Sequence, residues 1–145
     1  MKIVIEEPLG DEEEQIIIKC RVMRPEILNL INALKSHEVM LTAYINNEIH
    51  IVLPSDIYYI ETVDNKTFLY CKNEVYESKQ KLYEMEEMLG TGDFLRISKS
   101  VIINLSKIKS LSPALSGRLE AVLRNGEKVI ISRQYVGALK KKLGI

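Results

Sequence analysis

FLRISKSVIINLSKIKSL, residues 94–111, contains four bases, Arg96, Lys99, Lys107 and Lys109, and no acid. A segment that needed only a solvated face would usually mix signs. Leu95 and Ile97 alternate with Arg96 and Ser98, the two-residue period of a strand. VIINL is apolar throughout and reads as a buried turn or one helical turn. KIKSL opens the next strand. The bases therefore fall at strand ends and turns, where a rigid sheet presents functional side chains.

Turns and short apolar runs continue on both sides. RLEAVLRNGEKVIISR, residues 118–133, is a hairpin with Asn125-Gly126 as its turn, the strongest short-range hairpin signal in the chain. QYVGALKKKL forms a closing helix. Upstream, VMLTAYINNEIHIVLP predicts a hairpin about Asn46-Asn47. IYYIETVDNKTFLYCKNEVYE predicts further strands, with turns at Asp64-Asn65-Lys66 and Lys72-Asn73-Glu74. A helix over 79–89 places Leu82, Met85, Met88 and Leu89 on one face, and Gly90 and Gly92 end it. Residues 1–39 read as a β-β-α segment. MKIVIEE and QIIIKCRVM are its strands. A helix from Pro25 to about Lys35-Ser36 carries Ile27, Leu30, Ile31 and Leu34 at helical spacing. The expected class is mostly β (α+β), with a boundary between 1–39 and 40–145.

The zero net charge conceals an asymmetry. Residues 95–145 hold eleven bases and two acids, a balance of +9, and residues 1–94 hold nine bases and eighteen acids, a balance of −9. A basic third of this kind fits a polyanionic partner. Most of these bases fall on turns and strand ends, not on one helix as in a helix-turn-helix. No apolar run approaches the roughly 18–20 residues of a membrane span, and the first residues lack the pattern of a signal peptide. Cys20 and Cys71 read as reduced thiols, and the expected location is the cytoplasm.

Other chemistries find no footing. His37 and His50 lie at no metal-ligand spacing from a cysteine or carboxylate cluster. GTGDF at 90–94 lacks the G-K-[ST] of a phosphate loop. No nucleophile elbow is present. The expectation is a non-enzyme without cofactor or metal.

Several separated motifs carry a resemblance: Ile57-Tyr58-Tyr59-Ile60-Glu61, the helix face from Leu82 to Leu89, Phe94 to Ile108, Asn125-Gly126, and Ser132-Arg133-Gln134-Tyr135. In this order they resemble the LytTR family of DNA-binding domains across about residues 40–145. The resemblance implies an elongated stack of small antiparallel sheets with one central helix. It also implies a transcription regulator that places loops into successive major grooves of double-stranded DNA. Members often follow a receiver domain. Residues 1–39 are too short for one, so the chain looks like the stand-alone class. The resemblance links that class to small inhibitory membrane proteins. A homodimer on repeated half-sites is expected, with residues 1–39 serving dimerisation or regulation.

The resemblance assigns base contacts to three loops, here represented by Lys66, Lys99 and Arg133. Arginine suits the part because its planar fork can bind guanine O6 and N7 together. Asn65, Thr67, Arg96, Ser98, Ser100, Lys107, Lys109 and Ser132 are secondary candidates, several of them for phosphate. For Arg96 a structural role beside Glu61 or Asp93 carries equal weight, and Asn104 reads as a buried turn amide. Two rivals stay open. One is an RNA or single-strand binder that stacks bases on Tyr58, Tyr59, Phe68 and Tyr70. The other is a basic module that docks an acidic protein.

Overall fold

A computed structural model of the chain describes residues 1–35, 39–90 and 92–145, with Lys35 by its backbone only. The helix end expected at Ser36, together with His37 and Thr91, lies outside the described residues. The chain divides into two compact units, Met1–His37 and Glu38–Ile145.

Among the described residues of the first unit, only the helix α1 (Pro25–Lys35) forms regular structure. Pro25 stands in the first turn, where its missing N–H costs nothing, and Glu26 meets the positive end of the helix. The two strands expected in residues 1–7 and 15–23 do not form. Their β-branched sequences favour extended backbone, but a strand also needs a ladder, and these segments make none among the described residues.

The second unit begins with β1 (Leu41–Ile45) and β2 (Glu48–Val52), joined at Asn46-Asn47. Next come β3 (Ile57–Val63), β4 (Lys66–Cys71), β5 (Val75–Ser78) and the helix α2 (Leu82–Leu89). Then follow β6 (Phe94–Arg96), β7 (Val101–Asn104) and β8 (Ile108–Pro113). The chain closes with β9 (Leu119–Leu123), β10 (Lys128–Ile131) and the helix α3 (Arg133–Leu143). Seven strands form one sheet in the order β2-β1-β5-β4-β3-β7-β6, and three form a second in the order β10-β9-β8. All pairings are antiparallel. The mostly β class expected from sequence is thus found, as two sheets with three α-helices among the described residues.

VIIN is a strand, not the buried turn or helical turn expected. It pairs with β3 on one side and β6 on the other, Ile60↔Ile102 and Leu95↔Ile103. Its two faces are both covered, which is why its sequence is a continuous apolar run without alternation. Ile102 packs into a core with Ile60, Leu69, Leu82, Met85 and Leu89, beneath α2. Ile103 points into a second core with Ala121, Leu123, Ile131 and Leu139, from the small sheet and α3. The larger sheet is therefore the middle layer. Met88, expected on the buried face of α2, is exposed. The single helical turn falls just after the strand, at Leu105–Lys107. Asn104 caps it and is a buried turn amide as expected. It donates Nδ2–H to the Ile57 carbonyl at 2.8 Å and accepts from the Ser106 N–H at 3.1 Å.

Ile103 is fully buried and Ile130 is 44% exposed. Ile103→Ala should therefore cost about 2–5 kcal/mol in chemical denaturation, and Ile130→Ala much less.

Candidate nucleic-acid interface

Three separated segments meet at one end of the second unit, held there by backbone hydrogen bonds. The Thr62 N–H, at the end of β3, donates to the Ser100 carbonyl at 2.9 Å. The Ser132 N–H, just before α3, donates to the Ile97 carbonyl at 2.9 Å. Ile97 itself is fully buried and donates to the Val101 carbonyl at 3.0 Å. Residues 98–100 thus form a tight connection between β6 and β7, flanked by the β3–β4 turn and by Ser132-Arg133.

Each segment has a local reason for its shape. Asp64 and Asn65 both adopt positive φ, 51° and 63°, the pattern of the hairpin turn that matches strand twist. Asn65 therefore serves the turn geometry whatever else it touches. Lys66 follows it, exposed. Thr67 is buried, with its Oγ1 3.4 Å from that of Thr62 across the ladder. In residues 98–100, Ser98 Oγ accepts the Ser100 N–H at 3.2 Å, and Lys99 is exposed at the tip. Arg133 opens α3, which Leu139, Tyr135 and Val136 anchor to the second core. Arg133 is exposed and its stem rests on Gly117 in the β8–β9 turn. A Cβ at Gly117 would lie 3.0 Å from Arg133 Cδ, and Gly117 also has φ +74°. Both facts call for glycine there.

Arg96 reaches none of the acids expected for it. Its Nε donates to the Ser98 carbonyl at 2.7 Å, and a terminal nitrogen donates to the Lys99 carbonyl. Its other terminal nitrogen lies 3.6 Å from Glu86 of α2. Hydrogen bonds from a charged donor contribute about 1.5–3 kcal/mol, whereas a part-exposed ion pair contributes about 0–1 kcal/mol. The carbonyl bonds decide what Arg96 does: it braces the segment that carries Lys99.

The cluster also includes a base that sequence reading passed over. Arg118 is exposed and, with Ser116, Ile130, Ser132, Arg133 and Gln134, lines an open cleft of about 470 Å³. No motif marks it. It comes near Arg133 only because β9 and β10 pair Leu119 with Ile131. Among the described residues, Lys66, Lys99, Arg118 and Arg133 have no carboxylate within 4.0 Å. No carboxylate among them ties Arg133 to the strand end.

Lys107 and Lys109 are not brought to this cluster. They follow the opposite end of β7, where the Lys107 ammonium lies 5.1 Å above the Tyr58 ring and the Lys107 carbonyl accepts the Arg124 N–H. The aromatic residues do not form an open platform. Tyr58 is buried, and Tyr59 and Tyr70 stack on each other at 4.3 Å. Burial, and then the Glu127 carboxylate, raises the Tyr59 hydroxyl well above its ordinary range. Burial pushes the Cys71 thiol up to about 11, so it is protonated at neutral pH. Among the described residues no group of His, Cys, Asp and Glu is arranged to hold a metal ion, and no helix is long and apolar enough to cross a membrane.

Comparison with known proteins gives concordant likenesses. Residues 47–144 match the LytTr DNA-binding domain family. An uncharacterised HTH-type transcriptional regulator of Staphylococcus aureus is 31% identical over 140 residues, 94% of this chain and 93% of that protein. The sensory transduction protein LytT of Enterococcus faecalis is 32% identical over 99 residues; the match takes in 68% of this chain but only 41% of LytT. The solved LytTr DNA-binding domain of a Bacillus cereus protein superposes with a TM-score of 0.69 at 28% identity, covering 73% of this chain and 97% of that one. Among the described residues, strands separate α1, α2 and α3 from one another, so no two helices form a helix-turn-helix.

Arg96→Met keeps the side-chain stem and removes the fork. It should speed amide hydrogen exchange at Ser98 and Ser100 about tenfold. Unchanged exchange would mean that the strand ladder alone holds this connection.

Proposed function

The chain belongs to the LytTr DNA-binding domain family, and we propose that it acts as a sequence-specific transcriptional regulator that reads duplex DNA with turns. The observation that carries this reading is the convergence of Lys66, Lys99, Arg118 and Arg133, exposed and unpaired among the described residues, at one end of the second unit. Arg133 is assigned to a guanine edge, where a bidentate pair discriminates by about 1–3 kcal/mol. Lys99 and Lys66 take the neighbouring base edges. Asn65, Ser98, Ser100, Ser132 and Arg118 take sugar and phosphate contacts that fix the register. Arg96 and Thr67 support the turns without touching DNA. Lys107 and Lys109 fall outside the contact surface.

Two such subunits occupy two repeated half-sites, each inserting its turns into successive major grooves. The protein works in the cytoplasm, and an inhibitory membrane protein is the partner that withholds it from DNA. The charge asymmetry supports contact with a polyanion, and the staphylococcal relative, covered almost end to end, supports the regulatory role. Neutralising about 4–6 phosphates per subunit predicts a log–log salt slope near −0.9 for each.

Selection of duplexes from a random pool, with wild type and Arg133→Ala in parallel, tests the reading. A paired repeat should emerge with wild type, and the variant should relax it at one base pair in each half. Salt-dependent binding without enrichment would instead favour a basic face that docks an acidic protein. Gly117→Ala should weaken selection at the same base pair as Arg133→Ala, because it displaces the Arg133 stem. Lys99→Ala should cost affinity on the selected site by about 1–3 kcal/mol, and Lys109→Ala should leave it near wild type.

A further inference from the structure

The first unit leaves unusual amounts of apolar surface and unpaired backbone in water. Ile3 and Ile5 are 86% and 93% exposed, and Val4, Ile16, Ile17 and Val22 are exposed as well. A cavity of about 910 Å³ opens between residues 1–6, residues 15–22 and the Ile27–Leu30 side of α1. Residues 1–7 and 15–23 are extended in sequence preference, yet no backbone hydrogen bond between them is present. Two strands on one helix make a marginal unit in water, and further strands are what stabilise such a layer.

The charges indicate which edge is extended and by what. Residues 15–23 carry Lys19 and Arg21 and no acid, so two copies of this segment side by side bring positive charge to positive charge. Basic side chains on an edge strand discourage pairing there. Residues 1–7 are different, because their charges are self-complementary. In an antiparallel pair with its twofold axis at Val4, Lys2 faces Glu6 of the second copy and Glu6 faces its Lys2. Val4 faces Val4, and Ile3 faces Ile5. Alternation then puts Ile3 and Ile5 of both copies on one face of the new sheet, with Lys2, Val4 and Glu6 on the other.

We infer that residues 1–7 pair antiparallel with the same residues of a second copy of this chain, about a twofold axis at Val4. The product is a four-stranded sheet with the 15–23 segments as its basic outer edges. The apolar faces of the two α1 helices cover one side of it. A homodimeric, isologous contact of this kind closes on itself and does not propagate. It supplies the subunit pairing on which the two-half-site reading rests. It is tested without DNA, so the two fail separately.

The test is the mass of the full chain in solution, by sedimentation equilibrium without DNA. Wild type should be a dimer. Lys2→Glu and Glu6→Lys each set like charges opposite one another at two symmetric places and should each raise the dimer dissociation constant about tenfold. The double variant Lys2→Glu/Glu6→Lys should recover wild-type affinity. An equimolar mixture of the two single variants should also recover it, as a heterodimer in which both pairs are restored. Val4→Cys in a Cys20→Ser background should form a chain-to-chain disulfide on mild oxidation, since facing residues at the twofold lie within bridging distance. A monomeric wild type would overturn the inference and leave the apolar face to a different partner. A dimer indifferent to both charge reversals, or a mixture that fails to recover, would overturn it as well.

Discussion

Two backbone hydrogen bonds, Thr62 N–H to the Ser100 carbonyl and Ser132 N–H to the Ile97 carbonyl, fix where the bases of this protein stand. Each joins segments more than 30 positions apart in sequence. Both depend on β7 being a central strand. Because Ile102 and Ile103 are buried on opposite faces, the strand cannot slip by one residue without exchanging its two cores. The connection at residues 98–100 is then held at a defined place, and Arg96 ties its carbonyls to the sheet. The site is thus precise because the packing beneath it is, although its residues lie on turns.

Much of the second unit was legible because its signals are local. Asn46-Asn47, Asp64-Asn65 and Asn125-Gly126 each announce a hairpin through residues that accept unusual backbone geometry or bond to it, and each hairpin is found. The positions of Lys66, Lys99 and Arg133 came from a resemblance to a family to which the chain does belong. What composition could not give was their proximity, since that depends on pairing between distant strands.

VIINL reads as a buried turn or one helical turn because a strand covered on both faces has lost the alternation that reveals strands. Arg96 was given the wrong partners because an arginine's reach includes backbone carbonyls, which no sequence pattern flags. Arg118 went unnoticed because the register of β9 against β10 brings it beside Arg133, and nothing in its neighbours says so. Residues 1–7 and 15–23 have the composition of strands, but composition settles backbone preference, not the presence of a ladder. The proposed pairing with a second copy would give them that ladder.

In the proposed complex, DNA meets one end of the second unit. Backbone amide chemical shifts of the full chain, followed while a duplex carrying its selected site is added, test this most directly. Large shifts are expected at Lys66, Lys99, Ser100, Arg118 and Arg133, with Lys107, Lys109 and Arg124 at the opposite end of β7 nearly unmoved. Shifts concentrated at Lys107, Lys109 and Arg124, with the three joined turns silent, would contradict it.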